Sequence, residues 1–395
     1  MSNHIDVEYK SLKSKIILFL KGFSMGSADI IPGVSGGTIA LISGIYEHLI
    51  LALSSINLKE ILLVLKKIFT RNPSIQTKIP LAFLIVLVFG IASGILSMSR
   101  IIPFLMEEYP FYTYSLFFGL ILFSITIPYK KMDHGMIEYI LITIFAIFTF
   151  ILTDIEPYKG FYVQLELNEH TKKVKIDDSG KFQFELPNHL ANEITLYIYK
   201  DQKTLLSITT IEPDKNISFD LDEISFFMRT KQQENSIEVK GYISYKTGFS
   251  FLGSVIGKYL WIFFVASVAI CAMILPGISG AYILVLFGEY QNILKALYEK
   301  QIDIIFAFVL GIMIGILSFV RLLKYLLQKY HSFTMAALTG FLFGSLNKIY
   351  PMRYISHRPE LREIFLAISI AILGALLLYL LEKLSYKIGD PEPPV

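Results

Sequence analysis

The residues whose types and spacing suggest chemistry form two matched turns. Ile31-Pro32-Gly33-Val34-Ser35-Gly36-Gly37-Thr38 lies between apolar stretches, and Leu275-Pro276-Gly277-Ile278-Ser279-Gly280-Ala281 repeats it at an offset of 244. Proline lacks an amide hydrogen and breaks an incoming helix, while glycine adopts backbone shapes closed to other residues. A helix restarting near Ser35 or Gly36 offers free N–H groups and the positive end of its dipole, a site for an anion such as phosphate or carboxylate. The Ser35 and Thr38 hydroxyls add donors. The second copy supplies Ser279 and Gly280, with Tyr282 where Thr38 stands. The plainer reading of one such turn is a helix kink with close-packed glycines. Two copies at matching places argue against it.

Other repeated positions carry charge. At an offset of 221, Gly90, Gly94, Ser97, Arg100, Tyr109, Thr113 and Gly119 meet Gly311, Gly315, Ser318, Arg321, Tyr330, Thr334 and Gly340. Arg100 and Arg321 end charge-free spans, where a charge is costly and suggests function. Guanidinium suits bidentate contact with phosphate, the bland alternative being snorkelling to the headgroups. Asp29, Glu47 and Glu289 flank the turns, either as helix caps or as carriers of a coupled proton or cation. This acidic set is asymmetric, since Asp29 aligns with Met273 and Glu47 with Gln291.

The elements that position these residues are apolar. Of 395 residues, 54% are hydrophobic and 17% charged, with 31 Phe and 23 Tyr, against roughly 25% charged in a soluble domain. A net charge of +3 without a long basic run argues against nucleic acid as a partner, and the single Cys271 excludes a disulfide framework. Residues 80–99, 111–129, 139–153, 259–288, 304–320, 332–347 and 364–381 lack charge over lengths suited to a bilayer. The N-terminal apolar run from Ile16 has no signal-peptide cleavage pattern and leads into the first turn.

The chain thus reads as an α-helical polytopic membrane protein built by duplication. Residues 1–155 form a first membrane repeat, 156–245 an inserted domain and 246–395 a second repeat. Each repeat has a broken, re-entrant segment followed by three spans, so the second copy enters from the opposite side. This is the inverted-repeat plan of many transporters, whose paired broken helices mark the binding site. Lys10, Lys13, Lys15, Lys21, Lys66, Lys67 and Lys130-Lys131 put the termini in the cytoplasm, although Lys348, Arg353, Arg358 and Arg362 oppose the bias. The insertion would then be extracytoplasmic. Its alternating runs, such as Phe161–Leu167, and turn signals at Asp177-Asp178-Ser179-Gly180 and Glu212-Pro213-Asp214 suggest a small β-sandwich-like domain. His170 and His189 read as surface side chains, and the domain's role as interaction or scaffolding.

Ala28 to Thr38, followed by Gly44-Ile45-Tyr46-Glu47, resembles the signature of the bacterial undecaprenyl phosphate translocases. This family of polyprenyl-phosphate transporters was long known only as a domain of unknown function. The similarity covers both membrane halves. It implies a multi-pass inner-membrane protein that returns the C55 carrier phosphate from the outer to the cytoplasmic leaflet for cell-envelope synthesis. It implies no catalysis, cofactor or metal, with the polyprenyl-phosphate lipid and the membrane as partners. From the residues and their repeat positions, the phosphate contacts would be Pro32, Gly33, Ser35, Gly36, Gly37, Thr38, Arg100, Pro276, Gly277, Ser279, Gly280 and Arg321; Asp29, Glu47 and Glu289 would couple H⁺ or another cation. The insertion departs from the family pattern, so its partner is left open. One rival is a membrane undecaprenyl pyrophosphate phosphatase, which uses a Pro-Gly-x-Ser-Arg-Ser loop; Gly36 and Gly280 stand where its arginine would be. An inorganic-anion channel or exchanger using the same helix N-termini is the other.

Overall fold

Proline, glycine and small polar residues set where the helices start and stop. The computed structural model describes residues 9, 11–30, 35–70, 77–155, 158, 161–167, 170–176, 180–187, 194–200, 203–208, 214, 216–220, 224–233, 236–245, 255–355 and 358–388. Helix α1 (Leu12–Asp29) begins at Ser11, whose hydroxyl accepts from the Ser14 N–H. Helices α2 (Gly36–Ile42) and α3 (Tyr46–Ser54) meet at 115° across Gly44, where φ is +75°, a conformation that favours glycine. After them come α4 (Leu58–Thr70), α5 (Leu81–Met98), α6 (Ile101–Glu108), α7 (Pro110–Ser124), α8 (Thr126–Lys130) and α9 (Met136–Asp154). Beyond a β region the chain continues as α10 (Val255–Ile274), α11 (Gly280–Leu286), α12 (Tyr290–Tyr298), α13 (Ile302–Lys329), α14 (His331–Ser345), a 3₁₀ turn (Pro351–Tyr354) and α15 (Leu361–Ile388).

Among the described residues, six helical stretches are long and apolar enough to cross a bilayer: Leu81–Met98, Pro110–Lys130, Met136–Asp154, Ile256–Ile274, Ile302–Lys329 and Leu361–Leu380. The protein is therefore a polytopic membrane protein. The outward side chains of these helices, including Phe89, Ile144, Phe306 and Ile372, are large and apolar, as contact with lipid tails requires. The charge-free stretch 332–347 behaves differently. Its helix α14 has 15 residues, roughly 22 Å at 1.5 Å per residue, and most of its side chains are buried.

The residues group into two compact units, 1–154 with 267–282 and 313–395, and 155–266 with 283–312. In the first unit, helices approach through glycine. A Cβ on Gly90 or Gly94 of α5 would strike the carbonyls of Phe19 or Phe23 on α1. The contacts advance together along both helices, so α1 and α5 run parallel. Gly340 and Gly344 of α14 likewise meet Ile142 and Ala146 of α9, another parallel pair. Gly119 of α7 meets Ala371 of α15. In the second half, Gly311 meets Phe263 and Gly315 meets Ser267, again a parallel register. These partners lie 244 residues from Phe19 and Phe23, and the glycines 221 from Gly90 and Gly94, so the offsets of the sequence repeat reappear as contacts.

The repeat is not perfect. Pro103 follows Arg100, and the helix breaks between α5 and α6. At the matching place Lys324 follows Arg321, and α13 continues unbroken for 28 residues.

In the second unit the alternating runs form eight strands: β1 (Phe161–Leu167), β2 (His170–Lys175), β3 (Lys181–Pro187), β4 (Ile194–Lys200), β5 (Lys203–Ile208), β6 (Asn216–Asp220), β7 (Ile224–Gln232) and β8 (Ser236–Tyr245). They make two antiparallel four-stranded sheets, ordered β2-β1-β4-β5 and β3-β8-β7-β6. Val163, Leu196 and Ile198 of the first sheet share one buried cluster with Phe184, Phe226, Met228 and Val239 of the second. Period-2 alternation places these residues on the inner faces. His189 and the turn residues Asp177, Asp178, Ser179, Glu212 and Pro213 lie outside the described residues, as does Glu156.

Candidate functional site

The first turn is held by its own side chains. Ser35 is extended and buried at the start of α2, and its Oγ accepts from the Gly37 N–H at 3.1 Å. The Asp29 carboxylate, arriving at the end of α1, accepts from the Gly36 N–H at 2.7 Å. The Ser35 carbonyl takes the Thr38 N–H at 2.9 Å. Hence the amides that the sequence leaves open to an anion are engaged within the chain, one of them by an anion, Asp29. Pro32 and Gly33 lie outside the described residues.

Three polar contacts join the two turns. Ser35 Oγ donates to the Met273 carbonyl at 2.9 Å, and Tyr46 OH donates to the Ile274 carbonyl at 3.3 Å. In the other direction, the Gly277 N–H donates to Thr38 Oγ1 at 3.0 Å. Gly277 has φ +86°, and a Cβ there would lie 2.8 Å from the Phe341 carbonyl oxygen. Gly37 is equally constrained, with the Ile274 carbonyl oxygen 2.7 Å from where its Cβ would be. The glycines therefore permit backbone to lie on backbone where the turns meet. A kink would not require this cross-connection, which sequence spacing alone could not foretell.

The second turn is less occupied. Met273 stands where Asp29 does and has no carboxylate to offer. Ser279 is half-buried and makes no hydrogen bond among the described residues, Pro276 is buried, and Gly280 lies against the Ala269 carbonyl. Tyr282 turns its hydroxyl to the Leu152 carbonyl at 2.9 Å, and the Lys348 ammonium sits 5.3 Å from its ring centroid. Lys348 is only 6% exposed. Sequence reasoning counted this lysine as a loop charge; its burial was the missed signal.

The remaining expected residues are dispersed. Arg100 and Arg321 are exposed, and no hydrogen bond or ion pair joins either to the turns among the described residues. Glu47 pairs with Lys131 at 3.5 Å and with His331 at 3.7 Å. Glu289, in the second unit, is 1% exposed. One of its oxygens accepts from Asn292 Nδ2 at 3.2 Å, and Trp261 and Lys258 lie near it. Among the described residues no group of His, Cys, Asp and Glu is arranged to hold a metal ion.

Comparison with known proteins assigns the family. A family model described as undecaprenyl phosphate translocase-like matches residues 25–164 and 239–363, leaving most of the β region unmatched. The polyprenyl-phosphate transporter of Vibrio cholerae serotype O1 is 30% identical over 338 residues, covering 85% of this chain and 77% of the relative. The polyprenyl-phosphate transporter of Staphylococcus aureus is 26% identical over 345 residues, covering 85% and 87%. No solved structure matches the chain at a significant level.

Proposed function

The chain belongs to the undecaprenyl phosphate translocase-like family, and from that premise we propose that it returns undecaprenyl phosphate from the outer to the cytoplasmic leaflet of the bacterial inner membrane. It is a membrane transporter of polyprenyl phosphate. The observation that carries the mechanism is the meeting of the two turns, through Ser35, Tyr46 and Thr38 on one side and Met273, Ile274 and Gly277 on the other. The phosphate crosses at this junction while the prenyl tail stays in hydrocarbon. Ser35, Gly36, Gly37 and Thr38 form one wall, and Pro276, Gly277, Ser279 and Gly280 the other. Exposed Arg100 and Arg321 meet the headgroup only as it approaches or leaves.

Parallel packing supports an inverted repeat with re-entrant turns. If α1 and α5 both point outward, the chain between them has returned to the side it left. Hence α5 and α9 run outward and α7 inward, and the β region emerges outside. Helix α13 then runs inward, α14 outward parallel to α9, and α15 inward. Both termini lie in the cytoplasm. With the copies reversed, α9 pairs with α14 in the same direction, as the glycine contacts require.

The same geometry gives Asp29 a role in coupling. Its carboxylate occupies the Gly36 N–H that a phosphate would use, so phosphate and carboxylate exclude each other. A proton taken up by Asp29, with Glu47 and Glu289 as further acceptors of H⁺ or a cation, would open the site and offset the headgroup charge crossing the membrane potential. A transporter also fits the motif better than a phosphatase, because Gly36 and Gly280 replace the loop arginine that would hold a leaving phosphate.

The test is a leaflet-transfer assay with labelled undecaprenyl phosphate in vesicles, protein orientation being read by impermeant-maleimide labelling of a cysteine at Lys181. Transfer should require the protein and depend on pH, Na⁺ or potential, with the dependence altered in Asp29→Asn. Failure to move the lipid would refute the function. Transfer indifferent to all three conditions would remove coupling alone, and labelling of Lys181 only after rupture of the inner membrane of cells would reverse the orientation.

A further inference from the structure

Helix α4 has no counterpart in the second copy. Sequence pairs run at an offset of 244 as far as Leu53 and Leu297, then at 221 from Gly90 and Gly311, so the first copy carries 23 additional residues between those positions. In the second copy only Glu299-Lys300-Gln301 separate α12 from α13. The added stretch holds α4, whose 13 residues reach roughly 20 Å at 1.5 Å per residue, too short for a hydrocarbon core of about 30 Å. It does not cross the membrane, and its side chains fit a different place.

Leu62 and Phe69 stand two turns apart on one line of the helix and are 57% and 84% exposed. Lys59 and Lys66, also exposed and seven residues apart, run in a second line beside them. On the opposite side Glu60 is 6% exposed. Its Oε2 accepts from the Lys78 N–H at 2.7 Å, and its own N–H donates to Asn57 Oδ1 at 3.0 Å. The buried side is thus pinned to the chain that leads into α5, while the outward side shows large apolar groups in line with ammonium groups. Lysine stems lie along apolar surface while their heads reach a polar layer. An interfacial helix has this arrangement: its apolar side sinks about 5–10 Å into the headgroup boundary, and its cations meet anionic lipid. Lysines are depleted where protein meets protein, which favours a lipid surface over a protein as the occupant.

We propose that α4 lies in the plane of the cytoplasmic leaflet, with Leu62 and Phe69 among the acyl chains and Lys59, Lys66 and Lys67 on the phosphates of anionic phospholipids. The side rests on the orientation proposed above, in which α4 leads into the outward-running α5; the lipid contact itself does not depend on transport. Because α4 joins α3 to α5, a helix held by lipid fixes the first turn's helix pair to the membrane surface.

The full-length protein in nanodiscs tests this, with Cys271→Ser as background and a fluorescent label on Leu62→Cys, Lys66→Cys or Phe69→Cys in turn. All three are exposed helix positions, so replacement leaves the packing alone. Labels at Leu62 and Phe69 should be quenched by doxyl chains in the bilayer and spared by aqueous iodide, with the label at Lys66 showing the reverse. In mixed bilayers, doxyl-phosphatidylglycerol should quench the label at Phe69 about threefold better than doxyl-phosphatidylcholine at equal mole fraction. Replacing Lys59, Lys66 and Lys67 together by Gln should remove that preference. An impermeant maleimide should reach Lys66→Cys in inverted membrane vesicles but not in intact spheroplasts. Iodide quenching at all three positions would put α4 in water and overturn the proposal. Shielding of Leu62 and Phe69 from both quenchers would replace the lipid by a protein partner or a second copy. Equal quenching by the two lipids would strike out the anionic partner, and labelling in spheroplasts would strike out the cytoplasmic leaflet. None of these readouts uses transfer of undecaprenyl phosphate, so their failure leaves the transporter standing.

Discussion

The two Pro-Gly turns share a motif and differ in what holds them. In the first, Asp29 and Ser35 take the leading amides of α2, and Thr38 reaches across to Gly277. In the second, Met273 replaces the aspartate, Tyr282 replaces the threonine, and Ser279 has no hydrogen bond among the described residues. One turn is therefore internally satisfied, and in the other the serine makes no hydrogen bond among the described residues. The difference teaches that repeat equivalence does not make the copies equal partners. In the reading proposed above, the first turn is the scaffold that orders the junction and the second the half that receives a headgroup. The carboxylate of Asp29 already fills, in the first, the place an anion would take.

The comparison can be broken most severely at Gly37. A valine there would force a Cβ toward the Ile274 carbonyl oxygen, 2.7 Å from its ideal position. Overpacking of this kind costs about 1–3 kcal/mol. Gly37→Val should abolish leaflet transfer and lower the thermal midpoint of the purified protein; normal transfer and melting would show that the turns need not touch. Next, Met273→Asp gives the second turn the cap of the first. It should weaken undecaprenyl phosphate binding about tenfold, because a carboxylate would repel the headgroup from amides it now occupies. An unchanged equilibrium affinity would make the second turn as closed as the first. The smallest contrast lies in the serines. Ser35→Ala loses a cap and a cross-turn bond and should cost about 1–2 kcal/mol of stability. Ser279→Ala should stay within about 0.5 kcal/mol in stability yet reduce phosphate binding. Equal melting shifts in the two variants would erase the distinction between scaffold and receptor.

Much of this was legible in the residues. The matched motifs already paired Gly90 with Gly311 and Gly94 with Gly315, and the structure sets each pair against helix partners that are themselves 244 residues apart. The alternation in Phe161–Leu167 foretold a strand, because period 2 is read locally. Partnership between distant groups was not legible. That the Asp29 carboxylate would close the Gly36 amide depends on how α1 ends, and the pairing of Glu47 with Lys131 and His331 depends on helices far apart in sequence. The arginines lie at the span ends that spacing suggested, and among the described residues both are exposed with no hydrogen bond or ion pair to the turns. Lys348 was read as an ordinary loop charge because hydropathy cannot see a lysine folded under a tyrosine.

The crossed pairing of helices has a bearing on how the protein is made. Helix α7 finds its glycine-mediated neighbour in α15, and α14 closes upon α9. A ribosome finishing the first half therefore delivers α7 and α9 to the membrane with their proper neighbours still unsynthesised. Ser115 and Ser124, buried on α7 in the finished protein, keep their hydroxyls satisfied meanwhile by bonds to the Phe111 and Ile121 carbonyls of the same helix. The β region, whose strands pair only with one another, can complete itself during that wait, although β1 must reach β4 and β3 must reach β8. Assembly of the membrane part becomes a late event, decided when the last helix arrives. A gene cut within the β region should yield two unstable fragments, each rescued when both are translated into the same membrane.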